Sequence, residues 1–349
     1  MESKDKPYIV AGPCSVESLE RLEAVTEALA RVPQVRLVRC GVWKPRTHPG
    51  GFEGLGEEAL RWMEEVKKTR PEVRFCCEVA RPEHVETALS HGVDALWIGA
   101  RTTANPFLVQ EVTEVLRGTE VLVLVKNAPS PDVELWAGAI ERCRTVGLRD
   151  IMAVHRGFAM LHNQRYRNTP LWEVPIELRR RMPEVPMLCD PSHIAGRQEL
   201  IGELSQTALD MGFDGLMVEV HPAPEEALTD GRQQITPTAL EELIRGLVVR
   251  QTAEATPDVR LGLLRSEIDR LDRQMLELCA ERFGVVRKIA DVKRESNMAL
   301  FQPKRWDSLL QQHLADGKEL GLTEEFVKGI FEKIHAESIR VQRELRIEN

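Results

Sequence analysis

The 349-residue chain has no excess of positive charge: its formal net charge is −8. That balance argues against a nucleic-acid surface and leaves room only for local basic sites. Long apolar runs are missing, so no membrane span is expected. The opening residues, Met1–Lys6, contain no apolar core, and no signal peptide is expected. The seven cysteines are odd in number and form no C-x-x-C pattern. Reduced thiols in a cytoplasmic protein are the simplest reading. No glycine-rich nucleotide fingerprint opens the chain. What remains is ordinary globular material, 42% hydrophobic and 29% charged, long enough for two domains or for a barrel plus a smaller unit.

From Pro7 to Val249 short apolar runs alternate with amphipathic segments. Strands are expected at Tyr8–Cys14, Val35–Gly41, Val73–Val79, Ala95–Gly99, Val121–Lys126, Ile151–His155, Pro186–Cys189 and Gly215–His221. Helices are expected at Ser18–Arg31, Leu55–Thr69, Pro82–His91, Pro106–Leu116, Asp132–Val146, Trp172–Met182, Arg197–Met211 and Pro237–Val249. This α/β rhythm is that of a (β/α)8 TIM barrel over 1–250, with an open doubly wound sheet as the alternative. Residues 251–260 are polar and read as a linker.

Residues 261–349 should form a small all-α domain of three segments. Leu264, Ile268, Leu271, Met275, Leu278, Phe283, Val286 and Ile289 keep a helical period. That run is long for one globular helix and suggests a packed helical pair or bundle. Pro303 should open a second helix, Gly317 and Gly321 break it, and Thr323 cap a third. Such a domain is too small to bury its apolar stripe alone, so dimerisation through it is expected.

Chemistry in a barrel sits at the carboxyl ends of the strands. Leu216–Pro222 reads as a buried strand, yet it carries Glu219 and His221, whose spacing puts both on one face. A buried carboxylate needs a cation or a metal. The other expected strand ends are polar as well: Cys14, Arg39 with Lys44 and Arg46, Glu78, Arg101, Lys126, His155 with Arg156, and Asp190 with His193. Any one of these could be a structural ion pair; the same end of every strand being polar favours a site. Two sub-sites separate by chemistry. Cys14, His193, Glu219 and Asp230 offer one thiolate, one imidazole and two carboxylates, a set for one divalent transition metal whose softness does not choose sharply among Mn2+, Co2+, Fe2+ and Zn2+; Mn2+ is the metal expected. Arg39, Lys44, Arg46, Arg101, Lys126 and Arg156 imply a substrate with several negative charges, such as phosphate plus carboxylate.

Ala11–Ser15, Lys44–Thr47, Gly99–Thr103, Val125–Asn127, His155–Gly157, Asp190–His193 and Val218–His221, in this order, resemble the shorter bacterial type of 3-deoxy-D-arabino-heptulosonate 7-phosphate (DAHP) synthase. The resemblance covers about residues 7–250. It implies a TIM barrel that condenses phosphoenolpyruvate with erythrose 4-phosphate in aromatic amino-acid biosynthesis. It implies metal ligands at Cys14, His193, Glu219 and Asp230. It places phosphoenolpyruvate against Arg39, Lys44, Arg101, Lys126 and Arg156, and the sugar phosphate against Arg46 and Thr47. Glu78 and His221 are left for water or proton traffic. Some members carry a regulatory domain before the barrel; with a first strand at Tyr8, no room for one is expected.

In the tail, Leu264-Arg-x-x-Ile-Asp269-x-x-Asp272, Glu281-Arg282, Val292-Lys293 and Arg305 resemble the all-helical chorismate mutase family, over about residues 261–349. A charged helical face is usually a solvated one; the resemblance instead implies an intertwined dimer that rearranges chorismate to prephenate. It gives Arg265 (from the partner chain), Arg282 and Arg305 to substrate carboxylates, assisted by Ser338, and Lys293 and Gln342 to the ether oxygen. Gln302 and Trp306 depart from the acidic residues common there. The expectation is thus a bifunctional cytoplasmic enzyme, no nucleic acid or membrane as partner, with prephenate feeding back on the barrel. The alternatives are a non-catalytic tail for ligand sensing and dimerisation, a related phosphoenolpyruvate-dependent synthase, or a Schiff-base aldolase using Lys126.

Overall fold

A computed structural model describes residues 6–44, 50–160, 165–250 and 259–347. The chain forms two compact units, residues 1–252 and 253–349. In the first, eight strands close into a barrel in chain order: β1 (Tyr8–Gly12), β2 (Val35–Cys40), β3 (Phe75–Val79), β4 (Ala95–Ile98), β5 (Leu122–Lys126), β6 (Ile151–His155), β7 (Met187–Cys189) and β8 (Gly215–Glu219). Every neighbouring pair is parallel, and β1 closes on β8 with Gly12 opposite Glu219. All eight expected strands are present; β1, β2, β4 and β8 end one or two residues earlier than expected and the other four end where expected. The open-sheet alternative is excluded by closure.

The covering helices are α1 (Leu19–Ala30), α2 (Glu57–Thr69), α3 (Pro82–Ser90), α4 (Ala100–Thr103), α5 (Pro106–Val115), α6 (Val133–Thr145), α7 (Glu173–Arg181), α8 (Pro191–Ala195), α9 (Ile201–Asp210) and α10 (Pro237–Gly246). Their starts are chemically marked. Ser18, Asn105, Asp132 and Thr236 accept backbone N–H groups at four N-termini. Two short helices were not expected, α4 and α8; they follow β4 and β7 directly and carry Arg101 and His193.

Strand periodicity sorts the barrel into layers. Val10, Leu37, Cys76, Ala95, Leu124, Val154, Leu188 and Met217 pack together inside it. Two residues further along each strand the inward position is taken by Gly12, Arg39, Glu78, Trp97, Lys126, Arg156, Asp190 and Glu219. The apolar plug thus lies beneath a polar layer at the carboxyl rim. The residues between point outward and form the larger core against the helices.

The second unit holds α11 (Val259–Glu295), α12 (Pro303–Glu319) and α13 (Glu324–Ile347), with α13 packed on both others. Two expectations are corrected here. The first segment is one unbroken helix of 37 residues rather than a pair. Gly317 does not break α12, which runs on to Glu319. Gly317 is instead where α13 comes closest: a Cβ there would lie 2.4 Å from Val327 Cγ2. Thr323 caps α13 as expected, accepting from Phe326 N at 3.3 Å. The early part of α11 leaves Leu264, Ile268, Leu271, Met275 and Leu278 exposed.

Candidate active site

The inward layer at the rim is built from charges that answer one another. Arg39 is 1% exposed. Its Nη2 donates to Glu219 Oε1 at 3.0 Å, and its guanidinium lies 5.1 Å from the Trp97 ring centroid. Lys126 Nζ donates to Asp190 Oδ2 at 2.8 Å and lies 5.7 Å from the same ring. Trp97 is therefore a floor for two cations, and its Nε1 donates to Glu78 Oε2 at 3.0 Å. Sequence reasoning missed Trp97; its inward position between Ala95 and Gly99 was the available signal.

The cations are not fully neutralised. Among the described residues, Arg39 Nε and Nη1 are buried without a hydrogen-bond partner. Each such donor costs about 1–3 kcal/mol unless a ligand meets it. Burial lowers the Lys126 ammonium from its ordinary value despite Asp190. Burial, with Arg167 and Arg101 nearby, lowers Arg156 to about 10. Arg156 Nη1 donates to Asn168 Oδ1 at 2.8 Å, a neutral partner. Arg101 lies on α4, exposed at the end of β4. A rim of this kind attracts an anion rich in oxygen. Arg46 and Thr47 lie outside the described residues.

The second group sits beside it. Cys14 follows β1; its N–H donates to Gln234 Oε1 at 2.9 Å and its Sγ lies 3.4 Å from Asp230 Oδ2. Lys44 Nζ reaches Cys14 O at 3.1 Å and Sγ at 2.7 Å. Burial lowers the His193 imidazole from its ordinary value despite Asp190 and Glu219 beside it. Its Nδ1 lies 2.8 Å from Asp190 Oδ2, and its Nε2 lies 3.8 Å from Glu219 Oε1. Burial opposes ionisation of Glu219 and Asp230, yet neighbouring cations hold both below the ordinary carboxylate range, Asp230 at about 2. Burial also pushes the Cys14 thiol up to about 12.

Among the described residues, no three of His, Cys, Asp and Glu are gathered closely enough to hold an ion as they stand. The donor set still fits a divalent transition ion in kind, with one sulfur, one imidazole nitrogen and two carboxylates. It fits in pairwise spacing too. Bonds of about 2.0–2.3 Å put neighbouring ligands about 3–4 Å apart, as Cys14 and Asp230, and His193 and Glu219, already are.

His221 lies beyond β8, with Nε2 3.5 Å from Glu17 Oε2 and Nδ1 accepting from Ala223 N at 3.0 Å. It is one step from the charged layer and tied to the loop after β1. His155 points the other way. It is fully buried among Trp136, Phe158, Trp172 and Phe213, and burial lowers it to about 3. Its neighbour Arg156 takes the inward direction.

The tail has its own polar cluster between α11, α12 and α13. Arg282 Nη1 donates to Ser338 Oγ at 2.9 Å, Lys293 Nζ to Leu300 O at 2.6 Å, and Gln342 Nε2 to Ser338 O at 3.1 Å. Trp306 stacks on His335 with centroids 4.1 Å apart. Arg305 and Gln302 are exposed at the start of α12. Arg265 lies on the same helix as Arg282, roughly 25 Å away along it at about 1.5 Å per residue. Within one chain it does not reach this cluster.

Comparison with known proteins follows the same division. The model of the DAHP synthetase I family matches residues 1–254, and that of chorismate mutase type II matches residues 264–343. A phospho-2-dehydro-3-deoxyheptonate aldolase of Thermotoga maritima is 32% identical over 237 residues, 68% of each chain. A 2-dehydro-3-deoxyphosphooctonate aldolase of Nitrosococcus oceani is 28% identical over 263 residues, 69% of this chain and 88% of that one. The crystal structure of the Thermotoga maritima DAHP synthase superposes with a TM-score of 0.61 at 30% identity, over 69% of this chain and 68% of that one.

Proposed function

The chain belongs to the DAHP synthetase I family and carries a chorismate mutase type II domain behind its barrel, and from that premise we propose how its residues divide the work. The two domains make it a bifunctional enzyme of aromatic biosynthesis, with phosphoenolpyruvate and erythrose 4-phosphate as substrates of one and chorismate of the other.

The observation that carries the barrel assignment is the layer of buried cations at the rim, above all the donors of Arg39 left without a hydrogen bond and the lowered Lys126 and Arg156. Arg39, Lys126, Arg156 and Arg101 would take the phosphate and carboxylate of phosphoenolpyruvate. Lys44 would extend this row toward Arg46 and Thr47 and the sugar phosphate. Cys14, His193, Glu219 and Asp230 would hold one divalent ion, Mn2+ by preference over Co2+, Fe2+ or Zn2+. When bound, it supplies Lewis-acid polarisation of the aldehyde. Trp97 and the inward layer exclude bulk water from beneath the substrate. Glu78 and His221 would pass water or a proton. Lys126 is engaged by Asp190 at 2.8 Å, which favours an electrostatic role over a Schiff base.

In the tail, Arg282, Arg305 and Ser338 would bind carboxylates, and Lys293 and Gln342 would meet the ether oxygen, where charge grows in the rearrangement. Arg265 would come from a second copy. The exposed apolar stripe of α11 supports that dimer, since burying each large side chain is worth about 1.5–3 kcal/mol. Prephenate, the product, would signal back to the barrel.

The test is phosphoenolpyruvate consumption by the full chain with erythrose 4-phosphate, with and without chelator, then with prephenate. Loss of turnover in chelator and inhibition by prephenate are expected, and borohydride should trap no adduct. Full turnover in chelator, or in Cys14→Ser with its metal dependence intact, would refute the metal assignment.

A further inference from the structure

We propose that Arg167 and Gln233 are positioning residues that hold the two carboxylates of the donor set, Glu219 and Asp230, in place for a divalent cation. This rests on the metal reading above and adds the residues that prepare the site. Neither residue is conspicuous in the sequence. Arg167 sits in the loop between β6 and α7, and Gln233 ends a single 3-10 turn after β8.

The two side chains form one relay. Arg167 Nη1 donates to Asp230 Oδ1 at 3.0 Å and to Gln233 Oε1 at 2.7 Å. Gln233 Nε2 donates to Glu219 Oε2 at 2.6 Å. A guanidinium only donates and a carboxylate only accepts, so the amide between them has one possible orientation. Gln233 is 1% exposed, and Glu219 is fully buried. One cation therefore reaches both carboxylates, one directly and one through an amide.

Each carboxylate turns its other oxygen to the site, where Glu219 Oε1 also accepts from Arg39 Nη2 at 3.0 Å. Asp230 Oδ2 faces Cys14 Sγ at 3.4 Å, and Glu219 Oε1 faces His193 Nε2 at 3.8 Å. The relay thus grips the outer oxygen of each ligand and leaves the inner one toward the other donors. Asp230 needs such a grip, because it sits at φ 50°, a left-handed conformation that surrounding bonds must maintain.

Arg167 is itself fastened to the segment that carries the imidazole. Its N–H donates to Ala195 O at 3.3 Å, and Asn168 donates through N to Ile194 O at 3.1 Å and through Nδ2 to His193 O at 2.6 Å. Gly196 permits this approach: a Cβ there would lie 2.5 Å from Arg167 Cβ. One loop thereby fixes α8, the turn at Asp230 and the end of β8 relative to one another. Arg167 is itself exposed, yet both its backbone and its guanidinium are tied to the segments that carry the donors. Outer-shell partners of this kind typically change metal affinity by about 10–100-fold.

The experiment measures binding without turnover. Full-length protein is freed of metal with chelator, and Mn2+ is titrated while the resonance of the free ion is followed. Arg167→Ala and Gln233→Leu are each expected to weaken Mn2+ about 10–100-fold. The double variant should be little worse than either, because both break one relay. The melting temperature of the metal-free protein should fall in both variants, because a buried carboxylate loses its donor, and the rise that Mn2+ gives the wild type should shrink as well. If Cys14→Ser weakens Mn2+ and Arg167→Ala and Gln233→Leu do not, the relay is overturned and the metal reading stands. If the wild type takes up no Mn2+, both fall. A metal-free melting temperature that drops while the rise with Mn2+ keeps its wild-type size would make the two residues merely structural. A raised KM for phosphoenolpyruvate with Mn2+ affinity unchanged would make Arg167 a substrate residue, and would equally overturn the proposal.

Discussion

Replacing Asp190 with asparagine separates two duties that one buried side chain performs. Asp190 Oδ1 caps α8 by accepting His193 N at 3.0 Å. Oδ2 lies 2.8 Å from Lys126 Nζ, 2.8 Å from His193 Nδ1 and 4.0 Å from Arg39 Nη1. Burial alone would raise this carboxyl, but His193, Lys126 and Arg39 outweigh it and hold it well below the ordinary range. Asparagine keeps the shape and the capping acceptor and removes only the charge. Removing one partner of a buried pair costs about 3–5 kcal/mol; losing a cap costs about 1 kcal/mol. Asp190→Asn should therefore lose about 3–5 kcal/mol, or about 6–20 °C in melting temperature for a unit of this size. Asp190→Ala should lose about 1 kcal/mol more.

The pH dependence of that loss has a definite sign. Lys126 is already held below its ordinary value by burial, and without Asp190 it falls further. Its folded form then sheds a proton that the unfolded chain keeps, so the variant gains stability as pH rises toward about 10. The gap to wild type should narrow over that range. Urea unfolding of both proteins from neutral to alkaline pH, followed by tryptophan fluorescence, reads it. A loss below about 1 kcal/mol, or a gap that stays constant with pH, would refute the ion-pair reasoning.

Two further substitutions test packing, one in each unit. His155 is neutral in the folded protein and lowered by burial to about 3, while the unfolded chain binds its proton near the ordinary 6.5. Stability should thus be full above that value and drain by about 1.4 kcal/mol per pH unit below it; His155→Phe should flatten the slope in urea midpoints, and an unchanged slope would contradict it. In the tail, Gly317→Ala places a Cβ 2.4 Å from Val327 Cγ2. The overpacking cost of about 1–3 kcal/mol should exceed the helix-propensity gain of about 1 kcal/mol. Hydrogen exchange in α12 and α13 should then quicken, with Val327→Ala in the same chain restoring protection.

Much of this was legible in order along the chain. All eight strands and the covering helices other than the short α4 and α8 follow from apolar periodicity and from caps such as Ser18 and Asp132. The polar rim follows from the strand ends, and both halves matched the families that their motifs resemble. Two helices were misjudged for local reasons. Gly317 looked like a breaker because glycine weakens a helix, whereas here it lets α13 approach. The long apolar run of α11 looked like two helices because length alone does not say where a chain turns.

What sequence spacing fixes is period and identity: which residues share a face, and that Glu219 needs a cation. It does not fix which face is inward, nor which cation arrives. Barrel closure decided both. Closure turned Arg156 inward and His155 out into an aromatic box, although both end the same strand text. It set Arg39 against Glu219 and Lys126 against Asp190, leaving donors of Arg39 unspent. It also brought Arg167 to Gln233 and Asp230 across more than sixty residues of chain. The physical reason is that local periodicity is a property of neighbours in the chain. The energy of a buried charge depends on partners that only the closed barrel brings within hydrogen-bonding distance.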